Sequence, residues 1–328
     1  MSAMTADPQI PLLSVRDLKV HFPIHRGVLQ RQVGTVRAVD GVSFDLGRNE
    51  TLGLVGESGC GKSTTGLALT GLVPPTEGTV MFDGKRVGSE SGVDLQTYRR
   101  RMQIVFQDPY SSLNPRQRVS DILRVPLDIH GIGTRAERPQ MVLDMMERVG
   151  LRPDQARNYP HQFSGGQRQR IGIARALMLN PDVIVCDEPV SALDVSVQAQ
   201  ILNLLRDLQA ELGVAFLFIS HDLGVVEHIA RKVAVMYLGK IVEMADRRTL
   251  FANPVHPYTE RLLGSMPSLD PRKRHSFEVA SDDIPSATSI PSGCAFRTRC
   301  PLATAVCAKE VPPATERAPG HVVACHNR

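Results

Sequence analysis

The sequence lacks the long apolar stretches and the leader pattern that would place a protein inside or beyond a membrane. No apolar run approaches the roughly 18–20 residues that a membrane-spanning helix needs. The N-terminal residues do not combine a basic segment with an apolar core, so no secretory signal is expected. We therefore predict a cytosolic protein that reaches any membrane from its surface, through a partner.

A strong excess of one charge is also missing. The chain of 328 residues carries 38 Lys and Arg against 34 Asp and Glu, a formal net charge of +4. This excess is too mild to indicate a nucleic-acid-binding protein, and no internal repeat is present. With 42% hydrophobic and 22% charged residues, the composition is that of a soluble globular protein with one large or two modest domains.

Cysteine is scarce until the end of the chain. The first 290 residues contain only Cys60 and Cys186. The other four crowd into the last 35 residues, and a cytosolic setting disfavours disulfides. This distribution predicts a metal or iron–sulfur site. The four residues are Cys294, Cys300, Cys307 and Cys325.

Short apolar runs alternate with helical patterns along the chain. Such runs are typical of strands buried on both faces, and the clearest helical stripes lie at 167–179 and 195–212. The alternation predicts an α/β domain with a largely parallel core sheet. The predicted strands are 13–21, 42–46, 51–55, 78–82, 102–106, 183–186, 214–219, 233–237 and 240–244.

Two segments depart from this alternation. Residues 120–158 show helical stretches, breaks at 131–133 and 152–153 and no strong strand, so they predict a helical insertion. After about residue 265 the chain is rich in Pro, Ser and Thr and has little periodicity. We predict an irregular extension there, which needs something other than a large core to order it.

Residues 56–64, GESGCGKST, fit the pattern of a phosphate-binding loop between a strand and a helix. Its glycines let backbone N–H groups turn inward, and the helix N-terminus adds partial positive charge. Lys62 would reach the outer phosphates of a nucleotide, and Ser63 would bind Mg²⁺. The alternative is a chance glycine-rich turn. The candidate nucleotide-binding residues of the loop are Gly56, Ser58, Gly59, Cys60, Gly61, Lys62, Ser63 and Thr64.

Two acids end the apolar run 183–186, at the edge of a parallel sheet where ligands bind. Asp187 would bind Mg²⁺ directly or through water, and Glu188 would orient and deprotonate an attacking water. The alternative is a pair that merely caps the next helix. Ser164 and Gln167, with two glycines between them, suit a second phosphate-binding helix start, or else an ordinary glycine-rich helix entry.

The segment FSGGQRQR around Ser164 resembles the signature of ATP-binding cassette (ABC) ATPases, with Phe163 where the family usually has Leu. Other motifs follow in the family's order over about residues 12–264. They are Phe22 at the position of an adenine-stacking aromatic, Gln107 of the Q-loop, Ser191 to Asp194 of the D-loop, and His221 as the switch histidine.

The resemblance implies a P-loop ATPase with an antiparallel β subdomain, a cassette at 1–252, a helical subdomain at about 110–178 and an extension at 253–328. It also implies that two cassettes pair head to tail around ATP. The phosphate loop of one would face the partner's Ser164, Gly165, Gly166 and Gln167. Gln107 would sense Mg²⁺, and His221 would contact the γ-phosphate. A solvated glutamine and a capping or core histidine are the alternatives.

Two further stretches, 106–116 and the His-Pro-Tyr segment 253–259, resemble the ATPases of dipeptide, oligopeptide and nickel importers. Together with the cysteine pattern, this resemblance implies a [4Fe–4S] cluster at the four tail cysteines. From the residues alone, tetrahedral zinc and free or disulfide-bonded cysteines remain open, although the lack of a C-x-x-C pair counts against a zinc ribbon.

An importer of this kind implies ATP and Mg²⁺ as cofactors, peptides as cargo and the cytoplasmic face of the membrane as the location. The implied partners are a second ATPase subunit (a paralogue, or else an identical copy), two transmembrane permeases and, indirectly, a solute-binding protein. Nucleic acid is not expected. The alternatives are an ATPase subunit of a phosphonate-degrading complex and a soluble ABC ATPase acting on DNA or ribosomes.

Cys60 carries a smaller hypothesis. Its place at a helix N-terminus would lower the pKa of the thiol, so alkylation would inhibit the ATPase and bound ATP would protect it. The alternative is a small residue tolerated where only the backbone matters.

Overall fold

The structure, a computed structural model, describes residues 10–27, 31–266 and 285–328. These residues form two compact units, each built from three separate segments of the chain. The first unit comprises residues up to 17, 43–50 and 78–216, and the second comprises 18–42, 51–77 and the chain from 217 onward.

The strands are β1 (Leu13–Arg26), β2 (Arg31–Leu46), β3 (Thr51–Val55), β4 (Glu77–Phe82), β5 (Lys85–Arg86), β6 (Met102–Val105), β7 (Val183–Asp187), β8 (Ala215–Ser220), β9 (Lys232–Tyr237), β10 (Lys240–Asp246), β11 (Thr315–Ala318) and β12 (His321–Val323). The helices are α1 (Lys62–Leu69), α2 (Leu95–Arg101), α3 (Val119–His130), α4 (Arg138–Arg148), α5 (Gly165–Leu177), α6 (Val195–Leu212), α7 (Leu223–Ile229), α8 (Arg247–Ala252), α9 (Pro257–Gly264) and α10 (Ala305–Lys309).

In the first unit, β6 and β7 run parallel, with Met102 opposite Val183 and Val105 opposite Cys186. Both strands end at the same sheet edge because parallel strands share a direction. The helices α3, α4 and α5 pack on one another, so the helical stretch predicted between 120 and 158 is observed. Gly131 ends α3 in the left-handed conformation, at one of the two predicted breaks.

In the second unit the strands lie in the order β11, β12, β10, β9, β3, β8. The central strands β3 and β9 are parallel and β3 is buried along its whole length, whereas β10 is antiparallel to β9 and to β12. The predicted mainly parallel core is therefore confirmed, and its edge is completed by strands from the far end of the chain. Backbone pairing with β10 orders the short β12, which has too few residues to show a periodicity.

A separate sheet has the order β2, β1, β4, β5 and includes the antiparallel pair β4 and β5. Its two long strands extend well past the predicted 13–21 and 42–46. Of their extra residues, at 22–26 and 31–41, only Val39 is buried, so no run of buried apolar residues indicated them, and ladder hydrogen bonds between adjacent strands stabilise them instead.

The C-terminal extension is joined to the sheet through a buried carboxylate. Glu243 on β10 is 0% exposed. Its two oxygens accept hydrogen bonds from the backbone N–H groups of Val255 and His256, both at 2.9 Å. His321 of β12 adds a third contact, from Nε2 at 2.7 Å. Glu243 therefore ties together the start of α9, β10 and the last strand of the chain.

We expect the histidine that caps α9 to make stability fall in acid. Burial lowers the pKa of His256 from its ordinary 6.5 to about 4, and its Nδ1 must stay unprotonated to accept the Tyr258 N–H at 3.0 Å. Because His256 is harder to protonate in the folded protein than in the unfolded chain, its contribution to the free energy of unfolding is complete above pH 6.5. It is lost progressively down to about pH 4, by about 3 kcal/mol.

Urea unfolding midpoints between pH 7.5 and 4.5 measure this loss. His256→Asn keeps a side-chain cap and should flatten the pH dependence. His228→Asn, which replaces an exposed histidine, should keep the wild-type slope. Equal slopes in wild type and His256→Asn would exclude His256 as the cause.

Candidate functional site

The phosphate loop lies where predicted, between β3 and α1. Gly56 and Gly61 have φ of +155° and +107°. A Cβ atom on Gly61 would lie 2.0 Å from the carbonyl oxygen of Ala38, and one on Gly56 would lie 2.2 Å from that of Met236. Neither backbone oxygen can move out of the way, so the loop path requires glycine at both positions.

The side chain of Lys62 lies along the inside of this loop and is buried. Its ammonium donates to the carbonyl oxygens of Gly56 at 2.8 Å and Glu57 at 3.0 Å. These hydrogen bonds satisfy a charge that would otherwise be costly to bury. The loop backbone therefore holds the Lys62 ammonium in a fixed position. There the ammonium is suited to bind phosphate oxygens.

The hypothesis about Cys60 is wrong in its physical basis. The thiol is buried, and burial raises its pKa more than the neighbouring Lys62 lowers it. A buried thiol is protonated at neutral pH and therefore a poor nucleophile. Cys60 is a small, buried side chain inside the loop.

The second unit also carries Phe22 and His221. Phe22 lies on β1 and is 40% exposed, so its ring is accessible for stacking. His221 directly follows β8 in a turn in which the Asp222 N–H donates to the Ser220 hydroxyl at 3.0 Å. The carboxylate of Asp222 then caps α7. The turn leaves the imidazole of His221 at the carboxyl end of its strand, exposed to solvent.

In the first unit the structure brings Gln107 and Glu188 together. The two residues follow the parallel strands β6 and β7, and the Gln107 side-chain amide donates to the Glu188 carboxylate at 2.9 Å. Glu188 has φ of +46°, a conformation that non-glycine residues adopt at a cost. Asp187, one residue earlier, is buried at the end of β7. Backbone strain at Glu188 is consistent with a functional role.

The signature segment begins α5 as predicted. The Ser164 hydroxyl accepts the Gln167 N–H at 3.3 Å, and the Gln167 side chain accepts the Ser164 N–H at 3.0 Å. In this reciprocal capping box, the side chains of Ser164 and Gln167 satisfy each other's backbone N–H groups at the start of α5. A Cβ atom on Gly166 would lie 2.4 Å from the side chain of Val197. Gly166 is therefore needed for packing against α6, which the sequence did not indicate.

The D-loop follows Glu188 directly. The Ser191 hydroxyl donates to the carbonyl oxygen of Glu188 at 3.1 Å, and Asp194 is the residue before α6. The side-chain amide of Gln198 donates to the carbonyl oxygens of Val190 and Leu193, both at 3.0 Å. The D-loop thus has a defined conformation supported from α6.

The four tail cysteines come close to one another. The Cys294 N–H donates to the Cys307 carbonyl at 2.8 Å. Burial raises the pKa of Cys294, and the thiols of the other three raise it further. Hydrogen bonds from Thr304, and more weakly Asn327, lower that of Cys307. All six cysteines are free thiols. Over the described ranges, no three His, Cys, Asp or Glu side chains have the spacing to hold a single metal ion.

Comparison with known protein families matches two parts of the chain. Residues 39–191 match the ABC transporter family. Residues 242–307 match the family of the C-terminal region of oligopeptide and dipeptide transporters. Together the two matches cover the phosphate loop, the signature segment, the His-Pro-Tyr segment and three of the tail cysteines.

Individual proteins match over nearly their full lengths. An oligopeptide transport ATP-binding protein of Bacillus subtilis is 52% identical over 328 residues, covering 98% of this chain and 99% of its own. A putative peptide import ATP-binding protein of Brucella ovis is 53% identical over 317 residues, covering 97% and 98%.

Solved structures show the same fold. CbiO1 of Clostridium perfringens, part of an ABC transporter complex, has a TM-score of 0.62 and 26% identity over 74% of this chain and 91% of its own. A dimeric ATP-binding cassette with bound ADP and phosphate has a TM-score of 0.61 and 27% identity, with coverages of 72% and 99%. In the described part of the chain, no helix has the length and apolarity to cross a membrane.

Proposed function

This chain belongs to the ABC transporter ATP-binding family, and from that premise we propose that it is the ATP-hydrolysing subunit of an importer of dipeptides or oligopeptides. The observation that carries the proposal is the near full-length similarity to peptide-import ATP-binding proteins, which includes the C-terminal region at 242–307. A cassette alone would support ATP hydrolysis without indicating a cargo.

We assign the steps of ATP binding and hydrolysis to individual residues as follows. Lys62 and the loop N–H groups bind the phosphates of ATP. Ser63 and Asp187 supply oxygen ligands of the kind that Mg²⁺ prefers, and Gln107 supplies a further amide oxygen. A metal ion held by these residues would neutralise phosphate charge. Glu188 accepts the proton of the attacking water, His221 contacts the γ-phosphate, and Phe22 stacks on the adenine.

The proposed assembly contains two ATPase subunits. Each cassette carries one phosphate loop and one Ser164 segment, and the segment of one subunit acts on the ATP of the other. The partner is a paralogue or an identical copy. Two permeases hold the pair at the cytoplasmic face of the membrane, and a solute-binding protein delivers peptide from outside.

Copurification from detergent-solubilised membranes tests the assembly. Tagged full-length chain should retain two integral membrane subunits, and proteoliposomes carrying the complex and a solute-binding protein should take up peptide only with ATP. Stable association with ribosomes or DNA, or with soluble lyase subunits and no membrane protein, would contradict the proposal.

For the tail we propose a [4Fe–4S] cluster held by Cys294, Cys300, Cys307 and Cys325. Four neighbouring thiols are the ligand set of such a cluster. The group would stabilise a segment with little core of its own.

Iron and acid-labile sulfide analysis of anaerobically purified protein tests this assignment. We expect about four of each per chain, with loss of both in Cys300→Ser. Cys60→Ser is the control and should retain them, because Cys60 lies in the phosphate loop. Stoichiometric zinc without sulfide would instead establish the zinc alternative.

A further inference from the structure

One residue of the phosphate loop has all of its polar groups engaged by hydrogen bonds. The Glu57 carbonyl accepts from Lys62 at 3.0 Å and from the Cys60 N–H at 3.3 Å. Its N–H donates to the Tyr258 hydroxyl at 2.9 Å. Its carboxylate accepts two bonds from Arg299, at 2.8 and 2.9 Å. Two of these partners lie more than 200 residues away, in the C-terminal extension.

The pair of Arg299 and Glu57 has the geometry of a strong interaction. It is bidentate, which gives direction as well as attraction. The side chain of Arg299 is 5% exposed and that of Glu57 is 22% exposed, so solvent screens the pair only in part. The hydrogen bonds to Glu57 raise the pKa of the guanidinium. This ion pair is therefore unlike the exposed pairs elsewhere on the surface, which contribute little.

Arg299 and Tyr258 are themselves held rigidly. The rings of Tyr237, Tyr258 and Phe296 form a buried cluster with centroid distances of 4.7, 5.3 and 5.4 Å. The guanidinium of Arg299 lies 5.9 Å from the ring centres of Tyr237 and Phe296. The Arg299 N–H donates to the Phe296 carbonyl at 3.0 Å. The extension therefore presents two pre-ordered groups to Glu57.

We propose that Arg299 and Tyr258 are positioning residues for ATP binding, which hold Glu57 and through it the phosphate loop in the nucleotide-accepting conformation. Two effects operate. Fixing the N–H and carboxylate of Glu57 pre-orders the loop before ATP binds, which reduces the entropy lost on binding. Arg299 also neutralises a carboxylate in a loop that must accept a polyanion. The inference rests on the proposed nucleotide site.

Affinity for Mg·ATP is the decisive measurement on the full-length chain. Arg299→Ala should raise the Kd and KM for ATP about tenfold or more, the size of a lost charge-assisted hydrogen bond. The kcat of the intact transporter should change less than twofold, because neither side chain touches ATP. Tyr258→Phe, which removes the acceptor for the Glu57 N–H, should raise the same constants severalfold. A merely structural role would instead lower kcat and the yield of folded protein and leave the Kd and KM for ATP unchanged.

Three further variants are compared with Arg299→Ala for their affinity for Mg·ATP. Arg299→Lys restores the charge without the bidentate fork and should recover part of the affinity. Arg297→Ala is the matched control, because its guanidinium bonds Ser292 rather than the loop, and it should bind ATP like wild type. Lys62→Ala tests the site itself: ATP binding that survives it would place the nucleotide elsewhere and remove the premise.

The inference is overturned if folded Arg299→Ala and Tyr258→Phe both bind Mg·ATP within twofold of wild type. It is also overturned if Arg297→Ala weakens binding as much as Arg299→Ala does. If Arg299→Ala does not fold, Arg299→Lys and Tyr258→Phe decide, since both retain the bulk of the side chain that they replace.

Discussion

Replacement of Glu188 by Gln is expected to reduce ATP turnover by about 10²–10⁴-fold while ATP binding persists. The loss is the usual contribution of a general base, because an amide cannot accept the proton of the attacking water. The geometry should survive the change. A glutamine oxygen can still accept the hydrogen bond that Gln107 donates at 2.9 Å, and the strained backbone at position 188 is unaltered.

Steady-state hydrolysis and Mg·ATP affinity, measured on the same preparation, separate the two effects. Glu211→Gln is a suitable control because it removes an acid of the same unit that pairs with Arg148 on the surface. Its turnover should match wild type. Hydrolysis by Glu188→Gln above one-tenth of the wild-type rate would argue that another group accepts the proton.

Removal of the buried carboxylate at Glu243 is expected to destabilise the second unit by about 3 kcal/mol or more, because three buried hydrogen-bonding groups lose their acceptor at about 1–3 kcal/mol each. In Glu243→Ala, the N–H groups of Val255 and His256 and the imidazole of His321 lose their acceptor together. Unpaired buried polar groups of this kind carry their full desolvation cost. The C-terminal extension should detach before the rest of the chain unfolds.

Urea unfolding and limited proteolysis measure this effect, with early cleavage expected near α9 and β12. The control is Glu260→Ala, which removes a half-exposed carboxylate paired with Arg328 and should cost less than about 1 kcal/mol. A Glu243→Ala variant as stable and as resistant to protease as wild type would show that the extension is held by other contacts.

Much of the fold could be predicted because local rules governed it. The helix predicted at 195–212 is α6 to the residue. The capping of α5 by Ser164 follows from the preference of serine for that position. The glycines of the phosphate loop, the strand before it and the two acids at the end of β7 lie where predicted. In each case the residues that determine the conformation are neighbours in the chain.

Other features could not be predicted because they depend on residues far apart in sequence. Glycine is needed at position 166 because a Cβ atom there would clash with a side chain of α6, and not only because an anion has to approach the backbone. The thiol of Cys60 is buried, which reverses the pKa shift expected from its helix position. Arg299 gave no signal in the sequence at all, since an arginine in an irregular tail is usually solvated. Tyr258 belonged to a noted motif without an assigned contact.

The sequence by itself determined the chemistry of this protein: a phosphate loop, an acidic strand end, a signature helix start and a cysteine-rich tail. Those motifs are sets of neighbouring residues whose backbone conformation and functional groups are encoded locally. Only the tertiary structure decided that the tail reaches the loop. Glu57 and Arg299, 242 residues apart, meet because β10 brings the chain back beside β9 and the aromatic cluster orients the arginine. Such a pairing depends on the whole path of the chain, which no short stretch of sequence specifies.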